Sequence, residues 1–229
     1  MFLFFGKRIK KTISKSALSS LLWDEISMEL NLEGKTALIT GGSKGIGLAI
    51  KKALEAEGVK CIDISRTSGY DVMNPKFPTS VLEQTMDCEI LINNVGGLGS
   101  LYNSNDIMFK NYRIMEFMIR AFLQGKRKTG RVITIASIFG KEKGINPEFV
   151  AAKAAEIGFM KSMSGKYLNC TFNTICPGHI DVGKKIPYKP KVMGKPEDVA
   201  GIVAFLCSDR ASHIDGAVIT VDGGESHAF

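Results

Sequence analysis

Apolar runs of strand length recur along the chain and alternate with segments whose apolar residues return at helical spacing. The runs are Lys35 to Thr40, Lys60 to Ser65, Glu89 to Asn93, Arg131 to Ala136, Thr171 to Cys176 and Ala217 to Val221. Helical patterns lie between them, from Gly47 onward and over 107–125, 148–166 and 197–208. The last opens on Lys195-Pro196-Glu197-Asp198, with proline where its missing N–H is tolerated. Apolar strands separated by helices predict an α/β fold: a Rossmann-like, doubly wound, mostly parallel sheet with helices on both faces. Ligands of such sheets sit at the carboxyl ends of the strands.

A chain of 229 residues is long enough for one sizeable core and short for two. A single domain over 34–229 is therefore expected, preceded by a basic, amphipathic N-terminal extension over 1–33. The run Met1-Phe2-Leu3-Phe4-Phe5 is too short for a signal-peptide core or a membrane span, and Lys7, Arg8, Lys10, Lys11 and Lys15 follow it instead of preceding it. Ile13, Leu18, Leu21, Leu22, Trp23 and Ile26 look like the apolar stripe of a helix. That stripe suits packing on its own or a sister subunit, or, with the basic residues, a peripheral contact with an anionic membrane.

The net charge of +7 has a second focus at Lys184, Lys185, Lys189, Lys191 and Lys195. Anionic partners fit this balance. No aromatic residues are interleaved with the lysines in a nucleic-acid motif, so phosphorylated small molecules are expected and nucleic acid is not. The five cysteines are odd in number and scattered, which signals neither a disulfide framework nor a zinc site and points to a reducing cytoplasm.

Chemistry enters at Thr40-Gly41-Gly42-Ser43-Lys44-Gly45-Ile46-Gly47, between the first apolar run and the first helical segment. Residues without a Cβ let a tight turn bring backbone amides against a pyrophosphate, and the helix N-terminus adds partial positive charge at the same point. The second run ends in Ser65-Arg66-Thr67, where a doubly wound fold meets the adenosine ribose. An acidic residue there would favour a free 2′-hydroxyl, whereas the Arg66 guanidinium pairs with a 2′-phosphate and Lys44 offers a second cation. NADP is expected rather than NAD. Asp63, two residues earlier on the face of Ser65, becomes the ribose ligand only if the strand is shifted.

Together these residues resemble the short-chain dehydrogenase/reductase superfamily from about residue 34 to the C-terminus. Thr40 to Gly47 resembles its TGxxxGxG loop, Asp71-Val72 its adenine-contacting pair, and Asn93-Asn94-Val95-Gly96 its NNAG stretch. Ser137 after Ile133-Thr134-Ile135-Ala136, Lys153 on a helix, Pro177-Gly178 after a strand, and Val221-Asp222-Gly223-Gly224 follow in the family's order. The resemblance implies cofactor contacts from Gly41, Ser43, Lys44, Gly45, Ile46, Gly47, Ser65, Arg66, Asp71, Val72, Asn93, Val95, Gly96, Lys153, Pro177, Gly178 and Ile180. It also implies a catalytic set of serine, tyrosine, lysine and asparagine. The tyrosine exchanges a proton with the substrate oxygen, the lysine lowers its pKa and holds the nicotinamide ribose, and the serine polarises the oxygen. Ser137, Lys153 and Asn111 match three of these, but Phe149 stands in the tyrosine slot.

Phenylalanine has no proton to give, and losing positioned acid/base catalysis commonly removes about 10²- to 10⁴-fold in rate. Asn146, seven residues before Lys153, excludes the spacing of related enoyl reductases. The surrounding stretches resemble a divergent branch that carries Phe here and is associated with bacterial surface-sugar biosynthesis; a Tyr-to-Phe replacement is the competing account. His179, next to Pro177-Gly178, is a candidate proton source, as are Tyr102, Tyr112 and Lys153 through a water. Val182 stands where the superfamily often has a threonine holding the nicotinamide half, so weaker cofactor binding is expected.

From Pro177 to Gly194 the chain is short for a substrate lid. An abbreviated wall beside Lys184, Lys185, Lys189 and Lys191 would admit a bulky anionic small-molecule substrate, such as a nucleotide-linked sugar or an acyl-carrier thioester. The expected function is an NADP-dependent oxidoreductase interconverting a carbonyl and a secondary alcohol. The alternative is a catalytically impaired, cofactor-binding member acting as a partner or regulatory subunit. A homodimer or homotetramer through 107–125 and 148–166 is implied by the resemblance.

Overall fold

In the computed structural model, residues 29–74, 87–97, 104–124, 129–183, 190 and 192–228 are described. Each apolar run becomes a strand: β1 (Thr36–Thr40), β2 (Lys60–Ile64), β3 (Ile90–Asn93), β4 (Gly130–Ile135), β5 (Cys170–Pro177) and β6 (Val218–Val221). They form one parallel sheet in the order β2-β1-β3-β4-β5-β6. The register aligns Thr40 with Ile64 on one side and with Asn93 on the other, and Asn93 with Thr134. The carboxyl ends therefore share one edge, and the crevice between β1 and β3 is where the winding reverses.

Alternate residues of each strand face opposite layers. Ala37, Ile39, Ile90, Ile92, Ile133, Ile135 and Ile175 pack with Ile50 and Leu54 of α1 (Gly45–Ala56) and with Val199, Val203 and Leu206 of the helix at Pro196–Cys207. Leu38, Leu91, Val132 and Phe172 bury the opposite face under Met118, Ile119, Phe122 and Met160. Those four side chains come from two further helices, Ile114–Gln124 and Pro147–Met163. In chain order the helices are α1, α2 (Ser104–Met108), α3 (Ile114–Gln124), α4 (Pro147–Met163) and α5 (Pro196–Cys207).

The predicted helix over 107–125 is interrupted. A π-helical turn, Phe109–Arg113, separates α2 from α3 and carries the fully buried Asn111. The Asn111 Nδ2 donates to the Ile107 carbonyl at 2.8 Å, and its Oδ1 accepts from Gly97 N–H at 2.8 Å. A side chain that satisfies a backbone carbonyl in this way supports a widened turn, and such turns cluster at functional sites.

Residues 1–28, which hold the basic cluster and apolar stripe of the extension, lie outside the described residues. Its last part packs on the body: Leu32 is 1% exposed within the first core cluster, and Arg210 Nε donates to the Glu29 carbonyl. Among the described residues no helix is long and apolar enough to cross a membrane.

The cysteines are free thiols, and burial pushes Cys61 up to about 12 and Cys176 to about 11. Thiolate is the reactive form, so at pH 8 the native chain should label slowly at both positions. Ellman titration with and without guanidinium checks this; fast labelling of either residue in the folded chain would contradict it.

Candidate functional site

The turn from β1 into α1 is held from three directions. Gly41 takes a left-handed φ of +73°, which a side chain would strain. A Cβ on Gly47 would overlap the Gly41 carbonyl oxygen and lie 2.5 Å from Asn94 Nδ2. Asn94 Nδ2 donates to the carbonyls of Thr40 and Gly41, each at 3.1 Å, while Thr40 Oγ1 accepts from the N–H groups of Asn94 and Val95. The Asn93-Asn94-Val95 stretch is thus a brace for the glycine turn. The N-terminus of α1 has no side-chain cap and no acidic residue in its first turn, and Lys44 sits exposed at the cap position. Uncapped N–H groups with a nearby cation suit an anion.

Asp63 has a different role from the ribose ligand considered from the sequence. Its Oδ1 accepts from Gly42 N–H at 2.7 Å and its Oδ2 from Ser65 Oγ at 2.7 Å, so both oxygens brace the loop that carries Ser65 and Arg66. Ser65 is buried and Arg66 is exposed at the start of a single 3₁₀ turn, Arg66–Ser68. Downstream, Asp71 turns its Oδ1 to Met73 N–H while Val72 is buried in the second core cluster.

Gly96 marks the point where the remaining groups meet. A Cβ there would lie 2.7 Å from Asn111 Oδ1 and 3.0 Å from Lys153 Nζ. Lys153 Nζ also donates to the Ile135 carbonyl at 3.2 Å, at the end of β4, two residues before Ser137. Ser137 begins a 3₁₀ turn, Ile138–Gly140, and its Oγ accepts from Phe139 N–H at 3.2 Å. One turn before Lys153 on α4, the Phe149 ring lies under the ammonium at 5.7 Å, a cation–π contact. Phe149 therefore faces the lysine across one helical turn, as i, i+4 spacing requires. At Asn93, the buried Oδ1 has no hydrogen-bond partner among the described residues.

Two features went unread in the sequence. Glu156, one turn after Lys153, is 1% exposed, and both its oxygens accept from Lys153 Nζ at 2.9 Å. Burial raises its carboxyl above the ordinary range, against the pull of the Lys153 ammonium. The i, i+3 spacing on one helix was the available signal. The second feature is Glu225, whose Oε2 accepts from His179 N–H at 2.9 Å and whose Oε1 meets His179 Nδ1. Nothing local in the sequence announces that pair.

Other predicted positions fall along the same edge. Pro177 is buried at the end of β5, and Ile180 bridges to Gly194 while packing on the first core cluster. Val182 leans over the glycine turn, where a Cβ on Gly45 would lie 3.1 Å from Val182 Cγ1. The Tyr112 ring stands edge-on to Phe159 at 5.9 Å. Tyr102 and Lys184, Lys185, Lys189 and Lys191 lie outside the described residues. Beside Ser137's turn, a cavity of about 370 Å³ is lined by Ile138, Phe139, Glu142, Lys143, Gly144, Ile145, His179 and Glu225.

With this geometry in place, relatives are informative. Residues 77–226 match the family model described as Enoyl-(Acyl carrier protein) reductase. The 3-oxoacyl-[acyl-carrier-protein] reductase FabG of Vibrio cholerae serotype O1 is 32% identical over 244 residues, covering 85% of this chain and 98% of its own. The chain belongs to the short-chain dehydrogenase/reductase superfamily. It is an oxidoreductase of that superfamily with the Rossmann-like fold. A dehydrogenase/reductase from Sinorhizobium meliloti 1021 superposes with a TM-score of 0.76 at 25% identity, covering 87% of this chain and 99% of that one. BdcA in complex with NADPH superposes with a TM-score of 0.73 at 25% identity, covering 86% and 96%.

Proposed function

We propose that this short-chain dehydrogenase/reductase is NADP-linked and interconverts a carbonyl and a secondary alcohol on a bulky anionic small molecule. The observation that carries the reading is the meeting of Asn111, Lys153 and the end of β4 at Gly96, next to the uncapped N-terminus of α1. The residues present fit the dinucleotide: a glycine turn that tolerates no Cβ at position 47, an α1 mouth without acid, and an orphan Asn93 Oδ1.

Gly41, Ser43, Lys44, Gly45, Ile46 and Gly47 would hold the pyrophosphate, and Ser65 and Arg66 the adenosine 2′-phosphate. Asp71 and Val72 would border the adenine. Asn93, Val95, Gly96, Lys153, Pro177, Gly178 and Ile180 would hold the nicotinamide half. When bound, the cofactor supplies hydride. Ser137 Oγ orients the substrate oxygen, Lys153 holds a ribose hydroxyl, and Asn111 fixes the Gly97 backbone beside them. The solved relative that holds NADPH supports this choice of cofactor.

Lys143 on the cavity rim supports an anionic substrate. The relatives named for acyl-carrier-protein thioesters favour that member of the class, with a sugar nucleotide as the other. Homodimer or homotetramer assembly and a cytoplasmic site of action complete the reading. Phe149 supports one second reading, a member that binds cofactor without turnover and serves as a partner subunit.

Calorimetric titration tests the cofactor directly. NADPH should bind at least about tenfold more tightly than NADH, and Arg66→Glu should weaken NADPH by about tenfold or more with NADH little changed, since an ion-paired phosphate is worth over about 1.4 kcal/mol. Binding of neither nucleotide overturns the reading, while binding with no turnover across a carbonyl screen selects the partner-subunit alternative.

A further inference from the structure

On α4 the residue one turn before Lys153 is an apolar ring and the residue one turn after it is a buried acid. We infer that Glu156 is a positioning residue of the proposed reductase site, which holds the Lys153 ammonium at the end of β4 and withholds its charge from residue 149. This role rests on the oxidoreductase reading above and makes residue 156 part of its chemistry.

Positions 149, 153 and 156 lie four and three apart, so the helix turns all three to one side. Lys153 and Glu156 are 3% and 1% exposed, with Ala152 and Met160 buried beside them. Glu156 is the one buried carboxylate among the described residues. Each of its oxygens accepts from Lys153 Nζ at 2.9 Å. Lys153 Nζ also donates to the Ile135 carbonyl at 3.2 Å, and the Phe149 ring centre lies 5.7 Å away. An ammonium with three hydrogens thus has three oxygen acceptors and an aromatic face around it.

A buried ion pair adds little net stability over apolar side chains of similar volume, because both ions lose their water. Packing alone therefore gives no reason for an acid at 156. What the pair supplies is place and balance of charge. The carboxylate ties the ammonium from the next helical turn and the Ile135 carbonyl ties it from the strand, which keeps it beside Gly96. A Cβ there would lie 3.0 Å from Lys153 Nζ and 2.7 Å from Asn111 Oδ1.

A cation within about 4 to 6 Å of an acid lowers its titration by about 1 to 3 units. A carboxylate in contact with that cation offsets most of the pull, since the two fields oppose each other at the acid. At residue 149 the offset loses nothing, because phenylalanine has no proton to acidify. Two other ionisable groups act on this spot. The Cys176 thiol on β5, pushed up to about 11 chiefly by burial, feels Lys141, Lys153 and Glu156. Lys141, beyond the Ser137 turn, donates to Thr220 Oγ1 at 3.0 Å.

A phenol placed at 149 reads the charge directly, without cofactor. Ultraviolet difference titration of the full chain carrying Phe149→Tyr, against the same chain with Phe149, separates the new phenol from the five native tyrosines. It should titrate at about 10 or above, the ordinary tyrosine range or higher. Adding Glu156→Gln should lower it by about 1 unit or more, and adding Lys153→Gln instead should raise it. With NADPH and the best carbonyl substrate, the double variant Phe149→Tyr, Glu156→Gln should turn over about tenfold faster than Phe149→Tyr. In that variant the phenol O–H bond breaks, its proton joins the substrate oxygen, and the phenolate left behind faces an ammonium without its counter-charge. Glu156→Asp in the Phe149→Tyr background keeps a carboxylate and should give no such gain.

A phenol in Phe149→Tyr that already titrates about 1 unit or more below the ordinary value overturns the withholding of charge, and this single variant decides the matter if Glu156→Gln does not fold. A double variant whose phenol and turnover match those of Phe149→Tyr overturns the role of Glu156. A wild-type chain that binds neither nucleotide, with no turnover in any variant, overturns the oxidoreductase reading, and the phenol titrations then report Glu156 by themselves.

Discussion

Gly47→Ala should destabilise the chain by about 3 kcal/mol or more and weaken NADPH binding by at least about tenfold. The new methyl would overlap the Gly41 carbonyl oxygen and press on Asn94 Nδ2, so neither neighbour can yield cheaply. The Gly41 carbonyl belongs to a turn braced by Asn94, and Asn94 is fixed to β1 through Thr40. Relief therefore requires moving the start of α1, which is the element whose amides face the proposed pyrophosphate. Urea unfolding reads the first effect and calorimetry the second. A variant with wild-type midpoint and affinity would show that the turn is looser than its packing indicates.

Glu156→Leu should cost about 3 kcal/mol by leaving the Lys153 ammonium buried, with the Ile135 carbonyl and the Phe149 ring as its remaining partners. Pairing it with Lys153→Met should recover most of the loss, because removing both charges leaves no uncompensated ion. Burial raises the folded carboxyl above its ordinary value of 4.5, so the native state holds that proton more tightly than the unfolded chain. Its stabilising share is full below 4.5 and declines as pH rises through the raised value. Glu156→Gln should flatten that decline in urea midpoints measured across the window; an unchanged slope would remove Glu156 as its source.

The pair also has a chemical sense. A lysine whose ammonium is tied by a buried carboxylate is poorly suited to acidify a neighbouring phenol, and residue 149 offers no phenol. Phe149 and Glu156 thus flank Lys153 on one helix, the first as a ring under its ammonium and the second as its ion-pair partner.

The layered sheet, the glycine turn and the phenylalanine one helical turn before Lys153 were all legible in the sequence, because each is written within a few neighbouring residues. Strands and helices follow from repeats of 2 and 3.6 residues, the turn from four glycines in eight positions, and Phe149 from its place four residues before Lys153. Even so, local periodicity passed over the π turn at Asn111, since the apolar residues that flank it, Ile107 and Ile114, are buried and keep a helical spacing of seven. It also left Asp63 ambiguous, and only the β1–β2 register, with Ile39 beside Asp63, shows the carboxylate bracing Gly42.

What tertiary structure alone decided is long-range pairing. Asn111 reaches Gly97 across 14 positions and Glu225 reaches His179 across 46. Such contacts depend on how the sheet stacks strand ends that are remote in the chain. A carboxylate and an imidazole so far apart carry no shared pattern until β5 and β6 lie side by side and place Glu225 at the ring.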